Sequence, residues 1–195
     1  MIRMPVLITE RLRIRELAPD DLPAVHQLLD QDLRDADFGS EGAQPLAERT
    51  RWLEWTILSY EQLALLYQPP YGERAVTLQE TGQLVGLVGF VPSLAPFEQL
   101  PAFAPAGSTS QRATPELGLY YAIAPAHQRQ GYAAEAAWAM VNYAFEQLGL
   151  KRVVATTTYD NAASQGVMRK LGMRIERNPF PDPQWLQVVG WLESK

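Results

Sequence analysis

Apolar and charged residues alternate along 7-LITERLRIREL-17, where Leu12 and Ile14 stand between Arg11, Arg13 and Arg15. That period of two predicts a half-buried strand. The period then lengthens: Leu22, Val25, Leu28 and Leu29 recur at helical spacing behind Asp20 and Asp21, either of which suits a helix cap. His26 lies beside that stripe and reads as a helix-surface residue. Pro45 opens a longer helical pattern through Leu46, Trp52, Leu53, Trp55, Thr56 and Leu63, ended by the two prolines of 65-LLYQPP-70. Trp52, Trp55 and Tyr60 read as core or pocket wall.

The segments 74-RAVTLQ-79 and 84-LVGLVGFV-91 flank the turn 80-ETGQ-83 and predict a hairpin. From 92 to 115 the chain is rich in Pro, Ala and Ser without a clean period, a long connection. Phe97, Leu100 and Phe103 within it favour packing, so the expectation is a partly ordered flap or a homodimer contact. Beyond it, 116-ELGLYYAI-123 reads as a strand, 131-GYAAEAAWAMVNYAFEQLG-149 as a helix stopped by Gly149, and 152-RVVATTTY-159 as a β-branched strand. A short helix over 162–171 stops at Gly172, and strands 173-MRIER-177 and 186-LQVVGWL-192 follow around the Pro-rich 179–183 loop. The pattern predicts about seven strands and four helices in the order β-α-α-β-β-β-α-β-α-β-β, an α/β chain with all of 1–195 in a single domain.

Composition narrows the chemistry. A net charge of −5 offers no basic footprint for nucleic acid. With no cysteine, disulfides, thiolate metal sites and an acyl-cysteine are excluded. Two histidines, His26 and His127, leave little for a zinc site or a Ser-His-Asp triad, so no metal is expected. Glu10, Arg11 and Arg13 interrupt the first apolar run, and 84-LVGLVGFV-91 is far shorter than the ~20 residues of a membrane span. The expectation is a cytoplasmic protein without a membrane partner.

The stretch 127-HQRQGYAAEA-136 places one glycine at the mouth of a helix, where amides and the helix dipole favour an anion. A Walker loop is excluded because Tyr132 and Ala133 follow Gly131 in place of Lys and a hydroxyl. The dinucleotide fingerprint needs three glycines and fails as well. What remains can turn successive amides toward a pyrophosphate while Arg129 adds charge.

Gln128, Arg129, Gln130, Gly131, Tyr132 and Ala133 match the pattern Gln/Arg-x-x-Gly-x-Gly/Ala, and here the sequence resembles the GNAT superfamily of N-acetyltransferases. The segment 160-DNAASQGVMRKLGM-173 resembles that family's second cofactor segment, and 9-TERLRIRELAPDDL-22 is similar to the start of its ribosomal-protein N-terminal acetyltransferase branch. The resemblance implies a mostly antiparallel sheet splayed at the cofactor site. It implies acetyl-coenzyme A as co-substrate, with its pyrophosphate on the amides of 128–133 and its pantetheine arm laid beside the strand ending at Ile123. Backbone N–H near Ile123 then polarises the thioester carbonyl. Asn161 is expected to reach the pantetheine amides or to cap a helix. Ser164 is expected near the sulfur, or is a plain first-turn serine.

The implied reaction is direct transfer to an amine, either a protein N-terminus or a small molecule. An α-amine, with a reference pKa of ~8, is neutral more often than a lysine at ~10.4. Glu116 on the acetyl-site strand is a candidate proton acceptor, although relatives carry their glutamate nearer Gly118, and an exposed strand-start glutamate is the plain reading. The superfamily's usual acid, a tyrosine, corresponds to Met168, which cannot donate a proton. Tyr120, Tyr121 or Tyr159 are substitutes, as is stabilisation of the thiolate by Ser164. A non-catalytic acyl-coenzyme A sensor is the competing expectation.

Overall fold

The computed structural model describes residues 4–34, 42–105 and 110–194. The alternating opening forms two short antiparallel strands instead of one, β1 (Leu7–Ile8) and β2 (Leu12–Arg15). The Thr9 hydroxyl accepts the Leu12 amide at 3.0 Å and so closes a corner that a two-residue period cannot reveal. Leu12 and Ile14 are fully buried while Arg11 and Arg13 face outward, as the alternation predicts.

The helices follow as α1 (Leu22–His26), which widens into a π-type turn over Gln27–Asp32, and α2 (Leu46–Leu65). Asp21 does not cap α1 with its side chain. Its carboxylate accepts the Ala18 amide at 2.8 Å and both terminal nitrogens of Arg15 at 2.7 and 2.8 Å. The hairpin is β3 (Gly72–Leu78) with β4 (Leu84–Ala95). β4 runs past Pro92, which marked its end in the sequence; a strand admits proline where no ladder donor is required. β5 (Thr114–Ile123), α3 (Tyr132–Glu146), β6 (Arg152–Thr157), α4 (Ala162–Lys170), β7 (Arg174–Arg177) and β8 (Val188–Glu193) complete the described elements. There are eight described strands rather than seven, because the first divides.

The chain divides into two compact units, Met1–Phe90 with Tyr120–Met140, and Val91–Leu119 with Val141–Lys195. In the first, β2 pairs antiparallel with β3 and β3 with β4. β4 lies beside β5 in the opposite sense: the Ala124 amide donates to Val85 at 2.9 Å, and a Cβ on Gly86 would meet the Ala122 carbonyl at 2.4 Å. α1 and α2 bury Leu17, Val25, Leu28 and Leu53 against Ala75 and Leu87 of this sheet, with Trp52 and Tyr120 partly buried beside them. Each such leucine contributes about 1.5–3 kcal/mol of burial. Trp55, read as core or wall, is instead 62% exposed.

In the second unit, β5 meets β6 in parallel at Gly118 and Val154, β6 pairs antiparallel with β8, and β8 with β7. One register pair joins β5 to β6 among the described residues, as strands that part should show. The strand order is β1-β2-β3-β4-β5-β6-β8-β7. Phe97 and Leu100 of the long connection are fully buried with Val154, Leu186 and Trp191, and Phe103 packs on Phe97 and Trp191 at ring separations of 5.4 and 5.3 Å. The connection is therefore part of this core over 97–103, while its residues 106–109 lie outside the described residues. No helix among the described residues is long and apolar enough to cross a membrane.

Candidate active site

After β5 the chain makes one tight turn over Pro125–His127 and then enters the left-handed region twice, at Arg129 (φ 61°) and Gly131 (φ 89°). Gly131 adopts that conformation at little cost, whereas Arg129 is held in it by its surroundings. The first helical bond of α3 runs from the Glu135 amide to the Gly131 carbonyl at 3.0 Å, so the amides preceding it face out of the helix end. Alternating left-handed residues and an open helix N-terminus form an anion cradle, and the exposed Arg129 adds a cation. These residues fit a pyrophosphate.

The two glutamines of the turn are exposed and also hold it. Gln128 Nε2 donates to the Ile123 carbonyl at 2.9 Å, tying the strand end to the turn, and Gln130 Nε2 donates to Ala126 at 3.3 Å. The Ile123 side chain is buried, as a core residue would be. Ala133 is partly buried in the first turn of α3.

A clasp absent from the sequence reading braces the same turn. Arg11 donates to the Gln130 carbonyl at 3.0 Å, lies over the Tyr132 ring at 4.5 Å, and would stand 3.3 Å from a Cβ on Gly131. Its backbone amide and Nε donate to the two carboxylate oxygens of Glu135 at 2.9 and 2.8 Å, and the Thr9 hydroxyl adds a bond at 2.6 Å. Burial works against the Glu135 charge, but these donors hold its carboxyl below the usual range.

Glu116 is neither exposed nor unengaged. Its side chain is 7% exposed, and Arg152 donates through Nε to one oxygen at 2.9 Å and through Nη2 to the other. The Arg152 guanidinium also lies over Phe103 at 4.6 Å, and its own pKa is raised chiefly by the bond to Glu116. Asn161 caps α4, its Oδ1 accepting the Ser164 amide at 2.9 Å. Ser164 is half-buried one turn into that helix. Met168 is fully buried, and a Cβ on Gly190 would meet its sulfur at 3.0 Å, so its side chain fills core space. The Tyr159 hydroxyl is held by the Asn178 carbonyl, with Arg177 over its ring at 4.4 Å.

A second polar group, also missed in the sequence, joins the helical segments of the first unit. Arg49 donates to both oxygens of Asp30 at 2.8 and 2.7 Å, His26 Nδ1 is 2.8 Å from the same carboxylate, and the Gln44 amide donates at 2.7 Å. Burial disfavours the Asp30 charge, but these partners lower its pKa. His26 is thus part of a built network. Glu73 and Tyr120 are both half-buried nearby. Burial raises the Glu73 carboxyl despite Arg74 and Arg49, and burial followed by the Glu73 charge pushes the Tyr120 phenol far up.

A mostly antiparallel sheet whose strand β5 leads through an anion cradle into a helix defines a mixed α/β scaffold suited to an anionic ligand. The acetyltransferase (GNAT) domain family matches residues 11–174, and the chain belongs to this family of acyltransferases. It is 31% identical over 173 residues to the uncharacterized N-acetyltransferase YoaA of Bacillus subtilis, spanning 88% of this chain and 84% of that one. A GNAT-family acetyltransferase from Bacillus anthracis shares the fold with a TM-score of 0.69 at 22% identity, covering 96% of both chains. RimL, a ribosomal alpha-N-protein acetyltransferase solved with coenzyme A, matches with a TM-score of 0.68 at 16% identity over 97% of both chains.

Proposed function

We propose that the chain transfers an acetyl group from acetyl-coenzyme A to a primary amine by direct attack in a ternary complex. The observation that carries this reading is the cradle at Arg129 and Gly131, two left-handed residues opening the N-terminus of α3. Acetyl-coenzyme A supplies the activated acetyl group. The amides of 129–133 and the Arg129 side chain would hold its pyrophosphate, while Gln128 fixes Ile123 so that strand-end amides meet the thioester carbonyl. Asn161 and Ser164 would lie along the pantetheine arm, with Ser164 facing the sulfur. Direct attack is favoured because the chain has no cysteine to carry the acetyl group.

Glu116 is committed to Arg152 through both oxygens, so we assign it to fixing β5 against β6 rather than to taking the amine's proton. A protein N-terminus is the acceptor class that the RimL likeness supports. The family match from residue 11 to 174 runs through both units, which supports one catalytic domain. The cysteine-free composition and the coenzyme A donor fit a cytoplasmic enzyme. No observation favours the non-catalytic sensor.

The test is thermal unfolding with coenzyme A and acetyl-coenzyme A, followed by an acceptor screen. Ligand at a hundredfold excess over its Kd stabilises by about 2.7 kcal/mol, a rise of several degrees. Gly131→Pro should abolish the rise, since it removes an amide and cannot adopt the turn. No rise in the unsubstituted protein overturns the reading.

A further inference from the structure

β3 and β4 place Glu73 directly opposite Gly89. On the far side of β4, the Ala124 bond to Val85 and the approach of Gly86 to Ile123 set an antiparallel count. Carried three residues back, that count sets Tyr120 beside Gly89. Glu73, Gly89 and Tyr120 therefore form one cross-strand row, and directly opposed residues share a face. It is the face that carries Ala75, Leu87 and Tyr120 into the core beneath α1 and α2. Gly89 has no side chain, and a Cβ there would collide with the Gly72 carbonyl at 2.3 Å and the Glu73 Cα at 2.8 Å. With no side chain at Gly89, the row brings the Glu73 and Tyr120 side chains to one face with only close-packed strand backbone between them.

The carboxylate is not matched by its neighbours. Arg49, on α2, is occupied on both prongs by Asp30 and lies over Trp52 at 4.9 Å. Arg74, next along β3, stacks on Tyr60 at 4.1 Å and donates to the carbonyls of Tyr71, Gly72 and Glu73. The Tyr60 hydroxyl donates to the Glu73 carbonyl at 2.6 Å, which fixes the backbone and leaves the carboxylate to other partners. Among the described residues no side chain donates a hydrogen bond to the Glu73 carboxylate. A half-buried acid in this state either takes up a proton or pairs with a cation, and its raised pKa reflects that choice.

We propose that the Glu73 carboxylate, in the same cross-strand row as Tyr120, binds the ammonium group of the acceptor and takes its first proton. This rests on the acetyltransfer reading above. Glu73 accepts one proton from the ammonium; the freed nitrogen lone pair forms the N–C bond to the acetyl carbon as the C–S bond breaks, its electron pair leaving on sulfur. The second amine proton passes to that sulfur, giving the amide and the thiol, and Glu73 returns its proton to water. Tyr120 stays protonated throughout and orients the amine by hydrogen bonding. Burial suits Glu73 to this task, because it moves the carboxyl toward the pH at which an acceptor of protons works best.

The test compares the protein with Glu73→Gln, a near-isosteric change. Rates are measured between pH 6 and 9 with alanyl and seryl peptides and 1,4-diaminobutane. In the unsubstituted enzyme kcat/KM should fall toward low pH. Glu73→Gln should lower it on the order of a hundredfold and flatten that limb, with coenzyme A stabilisation unchanged. Independently of any acceptor, the Glu73 carboxyl carbon should titrate above the usual glutamate range by NMR and should shift when butylammonium chloride is added. An unaltered pH profile in Glu73→Gln, or a carboxyl signal indifferent to butylammonium, overturns the assignment. Failure of the cofactor reading shows separately, as a melting temperature that coenzyme A does not move.

Discussion

Arg11 and Glu135 form a two-pronged pair, 2.8 Å from Nε to one carboxylate oxygen and 2.9 Å from the amide to the other, which braces the anion cradle from outside. Because the same guanidinium holds the Gln130 carbonyl, loosening it should widen the turn without touching the acetyl end. Bonds of this charge-assisted kind are worth about 1.5–3 kcal/mol, so Arg11→Ala should raise KM for acetyl-coenzyme A roughly tenfold or more, with kcat little changed. Steady-state kinetics with the donor varied gives the split.

The pair also makes a pH prediction. The folded Glu135 carboxyl lies below its ordinary value, so its contribution to stability is present above the ordinary carboxylate range and is lost as pH falls through the lowered value. Glu135→Gln should therefore melt lower than the unsubstituted protein at pH 7, and the gap should close in strong acid. A gap independent of pH would mean that packing, not charge, holds the clasp.

How much of this the sequence carried depends on how local each signal is. Leu12 and Ile14 announce a strand because alternation is a nearest-neighbour property, and Gly131 announces the cradle because a positive φ at a helix start restricts residue choice on the spot. The clasp could not be read that way, since Thr9 and Glu135 meet across 126 residues. The relation of Glu73 to Tyr120, itself named from the sequence as a substitute acid, escaped notice for the same reason: it exists only through the registers of β3, β4 and β5. Glu116 stood out through its place on the acetyl-site strand, yet its partner Arg152 comes from β6, 36 positions on. Pro92 misled because its local meaning, a break, was overridden by the pairing of β4.

For Glu116 the expected effect is on stability. Removing one member of a nearly buried pair leaves the other charge without compensation, at a cost of about 3–5 kcal/mol when burial is complete and less here, where Arg152 is 31% exposed. Glu116→Gln should lower the melting temperature and keep the low-pH limb of kcat/KM. If that limb vanishes in Glu116→Gln and survives in Glu73→Gln, the proton acceptor is Glu116.

The last expectation separates two residues of α4 that the sequence placed together at the sulfur. Met168 points into the core, where its sulfur crowds Gly190, and Met173 comes equally close to that glycine at 3.0 Å from a built Cβ. A phenol cannot enter this space without displacing β8, so Met168→Tyr should destabilise the fold by about 1–3 kcal/mol and restore no proton donor. Ser164 is half-buried in the first turn, behind the Asn161 cap. If its hydroxyl meets the departing thiolate, Ser164→Ala should lower kcat and leave the KM for acetyl-coenzyme A nearly intact, because the charge it meets develops only during transfer. Asn161→Ala separates the cap from the arm: losing the cap should cost about 1 kcal/mol of stability, read in melting, and losing a pantetheine contact should raise the KM for acetyl-coenzyme A with kcat little changed. A Ser164→Ala enzyme with full kcat would remove Ser164 from the transfer step.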